Sequence, residues 1–433
     1  MRISLTPRAA LIAPLGLPFV LLWPHWWVLL LLFVGWMLVI AVDALRAVGP
    51  RSLEVRRSAQ RQVRLGESAT GRVLITNPTD RVARIEVRDA WNPTAGLDQQ
   101  RHRLEIPTRE RRAVDETFTP TRRGEHASRA LVIASRGPWG LARRAARIET
   151  APGRLLALHP FGARRHLPSR VRRLREIEGL AAVHQRGQGT EFDSLRDFVD
   201  GDDVRSIDWR ATARRRSVVV RTWRPERDRH VLIVLDTSRT SAARLGDAPR
   251  LDAEIDAALL LTALAGQAGD RVDLMCVDRI THASVLGASR TETLNRMVTT
   301  TAPVQPALVE TDWEAAAARI RERARRGALI VLITPVEAAT VQQGLVPVAA
   351  RIAQDHPLVI ASVSDPALAT LAAGRGDVDA VYRAAAAEKA RLERTAIMHA
   401  LERTGAVVVD APPSRAPQAL ADSYLALKAA GRL

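Results

Sequence analysis

Cysteine and lysine are almost absent from this chain. Cys276 is the single cysteine, so the chain forms no internal disulfide and offers no set of thiolates for a zinc or iron–sulfur site. Lys389 and Lys428 are the only lysines, so the formal net charge of +17 comes almost entirely from arginine. Such a bias often follows genomic base composition, and we do not interpret it as selection for nucleic-acid binding.

Several catalytic motifs are absent as well. The chain has no Gly-x-Ser-x-Gly nucleophile elbow, no His-Glu-x-x-His zinc motif and no phosphate-binding P-loop. Its 10 histidines are scattered without metal-ligand spacing. With 433 residues, 47% of them hydrophobic, the chain is long enough for two or three folded domains, and global disorder is excluded. We therefore predict a multidomain protein that is not an enzyme.

Long apolar runs occur only in the first fifty residues. Residues 11–22 form one run, and residues 26–42 form an uncharged second run close to the ~20 residues that a bilayer-spanning helix needs. Arginines flank the pair on both sides, which places both ends in the cytoplasm by the positive-inside rule. We predict a transmembrane hairpin of two helices over residues 1–46, with a single span as the alternative.

Short strands alternate with turn signals over residues 47–160. Segments such as 71–76 and 113–118 are rich in strand-forming residues, and pairs such as Asn77-Pro78 and Gly137-Pro138 interrupt them. This spacing predicts a β-sandwich domain. We expect it to act as a spacer, the alternative being a recognition surface.

Strands alternate with helices over residues 229–433. Buried strands are expected at 231–235, 272–277 and 358–363, with helical patterns between them. This order predicts a doubly wound α/β domain with a mostly parallel sheet, whose binding site lies at the carboxyl ends of the strands.

Residues 161–228 form a linker and a segment dense in charges of both signs. The basic run at 164–176 lacks interleaved aromatic residues, so we do not expect nucleic acid as a partner. Large apolar residues beyond it imply packing, which would partly bury the neighbouring charges and require them to pair. The candidate residues are Glu191, Arg196, Asp202, Asp203, Arg205, Asp208, Trp209 and Arg214. We expect the carboxylates to pair with Arg196, Arg205, Arg210 and Arg214.

Two other interpretations of the charged segment stay open. The glycines Gly187 and Gly189 are a weak phosphate-binding pattern, because a third glycine and a preceding strand are missing. The carboxylates of Glu191, Asp202 and Asp208, with Asp203, are the alternative donor set for a divalent metal that would support phosphodiesterase or nuclease chemistry.

The segment GTEFDSLRDFVDGDDVRSIDWRATAR at 189–214 resembles the signature of a bacterial family known as domain of unknown function 58. The resemblance extends in outline over the whole chain, and it implies a von Willebrand factor A-like C-terminal domain in a protein of the bacterial cytoplasmic membrane. Members are often encoded beside MoxR-type AAA+ ATPases, so it also implies such an ATPase as partner. The family brings no established catalytic residues.

The end of the first C-terminal strand resembles the metal-ion-dependent adhesion site of von Willebrand factor A domains. Asp236, Ser238 and Thr240 follow the D-x-S-x-S pattern, and Thr311 fits the second element. These oxygen donors suit Mg²⁺. Pro335 stands in place of the expected third element, an aspartate, so the pattern is incomplete.

Two alternatives follow from that departure. Glu337, two residues beyond Pro335, is a displaced substitute for the aspartate. The second alternative is that Asp236, Ser238 and Thr240 bind no metal and only cap the following turn and helix. The function that we predict is a membrane-anchored protein-binding scaffold, working with a MoxR-type ATPase in protein maturation or complex assembly on an unknown client.

Overall fold

The computed structural model describes residues 2–149, 153–184, 191–200, 202–224, 229–287, 290–338 and 344–433. The chain divides into two compact units, Met1–Pro160 and Phe161–Leu433. The glycine pair predicted as a weak phosphate cradle, Gly187 and Gly189, lies outside the described residues.

The first unit opens with a short strand and an apolar helical segment. These elements are β1 (Arg2–Leu5), α1 (Pro7–Ile12), a 3-10 turn (Ala13–Gly16), α2 (Leu17–Leu22) and α3 (Trp26–Arg46). Pro14 lies in the first turn of the 3-10 turn, and Pro18 lies in the first turn of α2. The N–H group that proline lacks would have no partner within the helix at these positions, so proline is tolerated there. The two prolines divide the first apolar run into pieces.

One helix of the described chain is long and apolar enough to cross a membrane, and it contains α3. The 21 residues of α3 span about 30 Å at 1.5 Å per residue, the thickness of a bilayer's hydrocarbon core. The preceding apolar segment, Pro7–Leu22, is shorter. Length and composition therefore provide one candidate membrane span near the N-terminus.

Nine further strands and two short 3-10 turns make up the rest of the described part of this unit. The strands are β2 (Glu54–Ala59), β3 (Gln62–Arg64), β4 (Ala69–Thr76), β5 (Ala83–Trp91), β6 (Arg101–Ile106), β7 (Arg111–Phe118), β8 (Gly124–Arg136), β9 (Ala142–Ile148) and β10 (Arg154–Leu158). The 3-10 turns are Pro50–Ser52 and Pro93–Ala95.

The strands form two sheets around a shared apolar core. The larger sheet has the order β1-β9-β8-β10-β3, with β5 joined to β8 and β6 to β5, and the smaller has the order β2-β4-β7. Val73 and Ile75 of the smaller sheet are buried in the same cluster as Ile85 and Ile133 of the larger. The N-terminal unit is therefore β-rich, with alternate residues of each strand directed to the core.

Both ends of the apolar helical segment are fastened to the larger sheet. At the start, β1 pairs antiparallel with β9. At the other end, the buried carboxylate of Asp43 in α3 accepts hydrogen bonds from the backbone N–H groups of Trp139 (2.8 Å), Leu141 (2.7 Å) and Ala142 (2.8 Å). A Cβ atom at Gly137 would lie 2.2 Å from the Asp43 carboxyl, so only glycine fits there. The segment thus leaves the sheet and returns to it.

The second unit begins with a helix and a two-stranded hairpin. Its first elements are a 3-10 turn (Gly162–His166), α4 (Leu167–His184), β11 (Glu191–Asp197), a 3-10 turn (Val204–Ser206), α5 (Trp209–Arg215) and β12 (Val219–Arg224). The basic run at 164–176 lies in the 3-10 turn and α4, in agreement with a helix face rather than an extended linker.

The rest of the unit alternates strands with helices. Its elements are β13 (His230–Asp236), β14 (Arg244–Leu245), β15 (Ala248–Pro249), α6 (Arg250–Gln267), β16 (Arg271–Val277), β17 (Thr281–Val285), α7 (Arg290–Thr301), α8 (Trp313–Arg323), β18 (Leu329–Ile333), α9 (Leu345–Asp355), β19 (Leu358–Val363), α10 (Pro366–Ala372), α11 (Val378–Glu402), β20 (Val407–Ala411) and α12 (Ala416–Ala429).

A six-stranded sheet with the order β17-β16-β13-β18-β19-β20 organises this unit. All neighbours pair in parallel except β17, which is antiparallel to β16. Helices α8, α9 and α11 pack on one face, and α6 and α12 pack against each other and the other face. A mixed sheet with helices on both faces places β13 at its centre and the carboxyl ends of five strands along one edge.

Candidate functional site

The candidate site lies at the carboxyl end of the central strand β13. Every residue of this strand is buried, because parallel neighbours flank it on both sides and helices cover both faces. Its last residue, Asp236, is a carboxylate that directly follows the apolar stretch from Val231 to Leu235. A charge at such a position requires partners, and these come from three separate loops.

Both carboxylate oxygens of Asp236 accept hydrogen bonds. Oδ1 accepts from the backbone N–H of Ser238 at 2.9 Å and from the Thr311 hydroxyl at 2.6 Å. Oδ2 accepts from the Thr334 hydroxyl at 2.7 Å. Because Thr311 and Thr334 are distant in sequence, this is a tertiary cluster and not merely a local cap.

The hydroxyls of the D-x-S-x-S pattern lie together. The Ser238 and Thr240 oxygens share a hydrogen bond of 3.0 Å. Backbone hydrogen bonds from Arg239 N to the Val309 carbonyl join this loop to the loop that precedes Thr311. Chain geometry therefore brings together all four residues that the sequence singles out, Asp236, Ser238, Thr240 and Thr311.

Thr334 occupies the place where the sequence pattern expects an aspartate. It directly follows β18, and its backbone N–H is held by the Ala361 carbonyl of β19 at 2.9 Å, which aims the hydroxyl at Asp236. A hydroxyl therefore replaces a second carboxylate beside Asp236. Pro335, which the sequence pattern placed at this point, directly follows Thr334 in the chain.

A buried arginine and two glutamates adjoin this cluster. Arg250, at the start of α6, is 4% exposed, and its Nη1 donates to the Thr240 carbonyl (3.0 Å) and to Glu337 (2.6 Å). Glu337 is thus an arginine partner in this structure rather than a partner of Asp236. Glu254, one turn along α6, is fully buried, and the Ser241 hydroxyl lies beside its carboxyl group.

Burial and neighbouring charge set the protonation of the two deepest acids. Burial raises the pKa of Asp236, and the hydrogen bonds from Thr311, Ser238 and Thr334 oppose this by lowering it. Burial also raises the pKa of Glu254 well above its ordinary value; the Asp236 carboxylate raises it further, while Arg250 lowers it. Burial and the nearby Asp236 carboxyl group therefore both favour the neutral form of Glu254.

Sequence reasoning missed Arg250, Glu254 and Thr334. A signal existed for Glu254, because it falls on the buried stripe of α6 between Leu251 and Ala258. A carboxylate on an apolar helix stripe indicates either a buried partner or a site.

The oxygen donors around Asp236 suit a hard cation, although only one of them is a negatively charged group. Hydroxyls of Ser238, Thr240 and Thr311 surround one carboxylate, and such oxygens are the ligands that Mg²⁺ accepts. Thr237 Oγ1 is buried nearby without a hydrogen-bond partner in the described chain. The described residues contain no cluster of three or more His, Cys, Asp or Glu arranged for a metal. An ion here would rest mainly on neutral oxygens.

In its described residues, 191–200 and 202–214, the charged segment contains β11, which pairs with β12, and α5. Arg196 and Asp202 form a two-pronged ion pair, with oxygen–nitrogen distances of 2.7 and 2.5 Å, as the sequence predicts. Asp203 accepts the Arg205 backbone N–H at 2.9 Å and caps a 3-10 turn. The side chain of Glu191 lies outside the described residues.

Two expectations for this segment are wrong. Asp208 pairs with Arg221 at 2.8 Å, a residue outside the expected set, because the hairpin carries β12 back beside α5. Its other oxygen accepts the N–H groups of Arg210 and Ala211 and caps α5. Trp209 is not packed but 67% exposed, and the side chain of Arg214 is also exposed.

Comparison with known proteins adds a family match. A family model described as "Protein of unknown function DUF58" matches residues 194–405. Uncharacterized proteins of Mycobacterium tuberculosis and Mycobacterium bovis are each 28% identical to this chain over 151 residues, which is 34% of this chain and 47% of theirs. The chain thus matches about half the length of these curated relatives.

Solved structures share only a limited likeness. The conserved hypothetical protein BatB from Bacteroides thetaiotaomicron aligns with a TM-score of 0.31 and 16% identity, over 46% of this chain and 98% of that one. The CARDB domain of a Pyrococcus furiosus protein aligns with a TM-score of 0.17 and 14% identity, over 22% of this chain and 87% of that one.

Proposed function

Through residues 194–405 this chain belongs to the family described as protein of unknown function DUF58, and we propose that it is a membrane-anchored scaffold that binds another protein. The C-terminal unit is, in this proposal, von Willebrand factor A-like. The observation that supports it is the convergence of Asp236, Ser238, Thr240 and Thr311 at the carboxyl end of the central strand. That edge is where open α/β sheets bind their ligands.

Mg²⁺ is the ion that this donor set would hold, through Asp236, Ser238, Thr240 and Thr311. When bound, such an ion supplies an open coordination position for a carboxylate of the partner protein. The chain's own contribution is positional. Thr334 and the Ser238 N–H hold Asp236, and Arg250 holds the Thr240 carbonyl.

The partner that we propose is a MoxR-type AAA+ ATPase, with ATP hydrolysis supplied by that partner during protein maturation or complex assembly. The charged segment supports a second contact surface. Trp209, Val199 and Val204 are exposed there. Tryptophan beside arginine is typical of protein-binding surfaces.

Capture of a partner from native membranes tests this function. We expect the tagged full-length chain to retain an AAA+ ATPase, and chelator or the isosteric change Thr311→Val to reduce retention about tenfold, the effect of ~1.4 kcal/mol. Thr395→Val on the exposed face of α11 is the matched control and should retain the ATPase normally. Quantitative mass spectrometry of the captured proteins provides the measurement.

Two results would contradict the scaffold. One is the absence of any ATPase from the wild-type sample. The other is nucleic-acid cleavage by the purified chain with Mg²⁺ or Mn²⁺ that disappears in Asp202→Ala, because this would support the phosphodiesterase alternative instead.

We further propose that α1–α2 and α3 form a transmembrane hairpin whose ends both face the cytoplasm. The pairing of β1 with β9 and the hydrogen bonds to Asp43 support it, because both ends of the apolar segment join one sheet. Two reporter enzymes fused after Leu433 test this topology, one active only in the cytoplasm and one active only in the periplasm. We expect the cytoplasmic reporter to be active and the periplasmic reporter to be inactive. Activity of a periplasmic reporter at the same position would refute this topology.

A further inference from the structure

A basic cavity lies in the N-terminal unit, where the apolar segment joins the sheet. Its volume is about 390 Å³, and four arginines line it together with a single acid, Glu105. The arginines are Arg8, Arg84, Arg103 and Arg136. Positive charge gathered around a cavity of this size indicates an anionic ligand.

The position of the cavity is fixed by the base of the helices. Arg8 belongs to α1, and the loop from Gly137 to Gly140 forms another wall. Asp43 near the end of α3 holds that loop through Trp139 N, and Arg84 Nη1 donates to the Pro138 carbonyl at 2.8 Å. If α3 crosses the hydrocarbon core, its last turn reaches the headgroup layer, and the cavity lies at that depth.

The positive charge in the cavity is only partly neutralised. Arg84 pairs with Glu105 at 3.3 Å, and Arg136 donates to Glu86 at 2.9 Å. Arg103 is 3.7 Å from the same Glu86, which it shares with Arg136 and Arg101. Arg8 is exposed and has no ion-pair partner among the described side chains. Arg8 therefore offers an unpaired guanidinium group among the described residues, and Arg103 is neutralised only in part.

An aromatic residue beside the cavity has the character of a membrane-interface anchor. Trp139, in the loop that forms the wall, is 47% exposed, and the Arg46 guanidinium lies 5.7 Å from its ring centre. Tryptophan is enriched at the headgroup level of membranes, and arginine next to it contacts lipid phosphates.

We propose that this cavity binds the phosphodiester headgroup of an anionic phospholipid. The planar guanidinium groups of Arg8 and Arg103 would hold two phosphate oxygens each, a geometry that lysine does not provide. The proposal rests on the membrane insertion proposed above and is independent of the scaffold's partner. Its ligand could otherwise be free phosphate, and the experiment separates these sources.

Lipid retention by the full chain tests the site. The probes are nanodiscs of phosphatidylcholine alone and of phosphatidylcholine mixed equally with phosphatidylglycerol, followed by native mass spectrometry. We expect wild type to retain phosphatidylglycerol and the double variant Arg8→Gln/Arg103→Gln to retain about thirtyfold less, a ratio that corresponds to ~2 kcal/mol for the loss of two arginines near an anionic surface. Arg111→Gln/Arg112→Gln, on exposed positions of β7 in the other sheet, is the matched control.

Each outcome bears on a different part of the proposal. Equal retention by the two double variants would overturn the cavity site, even when both insert normally into nanodiscs. Failure of wild type to insert would overturn the membrane anchoring on which the site rests. Displacement of phosphatidylglycerol by millimolar inorganic phosphate would overturn the lipid as the ligand.

Discussion

Replacing Asp236 with alanine should lower the free energy of unfolding of the C-terminal unit by about 2–4 kcal/mol, because buried donors that lose their acceptor cost ~1–3 kcal/mol each. The donors are Thr311, Thr334 and the Ser238 N–H. Relief of the buried charge, which raises the pKa of Asp236, offsets part of that loss. Faster hydrogen exchange of the β13 and β18 amides in the full chain provides the measurement.

The same substitution also tests the cation. If Mg²⁺ binds here, wild type should gain about 2.7 kcal/mol at a concentration one hundred times Kd, and Asp236→Ala should lose that gain. Asp379→Ala, an exposed aspartate of α11, is the control and should keep the full response. A wild-type melting temperature that is the same in Mg²⁺ and in chelator would contradict the ion while leaving the predicted loss of stability intact.

Replacing Arg250 with methionine should destabilise the same unit by about 2–3 kcal/mol, since removing one partner of a fully buried ion pair costs ~3–5 kcal/mol and Glu337 remains partly hydrated. Glu337 is 38% exposed, which is why the smaller figure applies. Methionine keeps most of the apolar stem, so the loss reports the guanidinium and its bonds to Thr240 and Glu337. Urea denaturation provides the measurement.

Glu254 should make the free energy of unfolding of the C-terminal unit depend on pH. Its pKa is raised in the folded state, so between its ordinary pKa and the raised value the folded protein holds a proton that the unfolded chain has released. Stability therefore falls as pH rises through that window. Glu254→Gln should remove this fall, and a persistent slope in the variant would assign it to other groups.

The sequence is sufficient to locate the candidate site, but it does not identify every residue that contacts Asp236. Apolar runs place Asp236 at the end of a buried strand, and parallel order brings Thr311 to the same edge. Thr334 was missed because the motif specifies an aspartate at this element and not a hydroxyl. In the structure, the hydrogen bond from the Thr334 N–H to the Ala361 carbonyl orients the Thr334 hydroxyl toward Asp236.

Charge pairing was harder to predict than fold. Asp202 and Arg196 are six residues apart around one turn, and local geometry suffices to predict their pairing. Asp208 meets Arg221 because the chain at Ile207 and Asp208 pairs with Val219 and Val220 of β12, a contact that no local pattern encodes. The edge strands β1 and β17 were likewise missed, because short strands with exposed alternate residues have a weak apolar signal.

The three hydrogen bonds that Asp43 accepts from Trp139, Leu141 and Ala142 restrict the rotation of α3 relative to the larger sheet. A helix joined to its domain by a loose linker rotates freely about its own axis, whereas here Asp43 and the close approach of Gly137 fix that rotation. If α3 crosses a bilayer, as proposed above, a force on the β-rich unit would therefore change the tilt and rotation of α3 in the membrane directly.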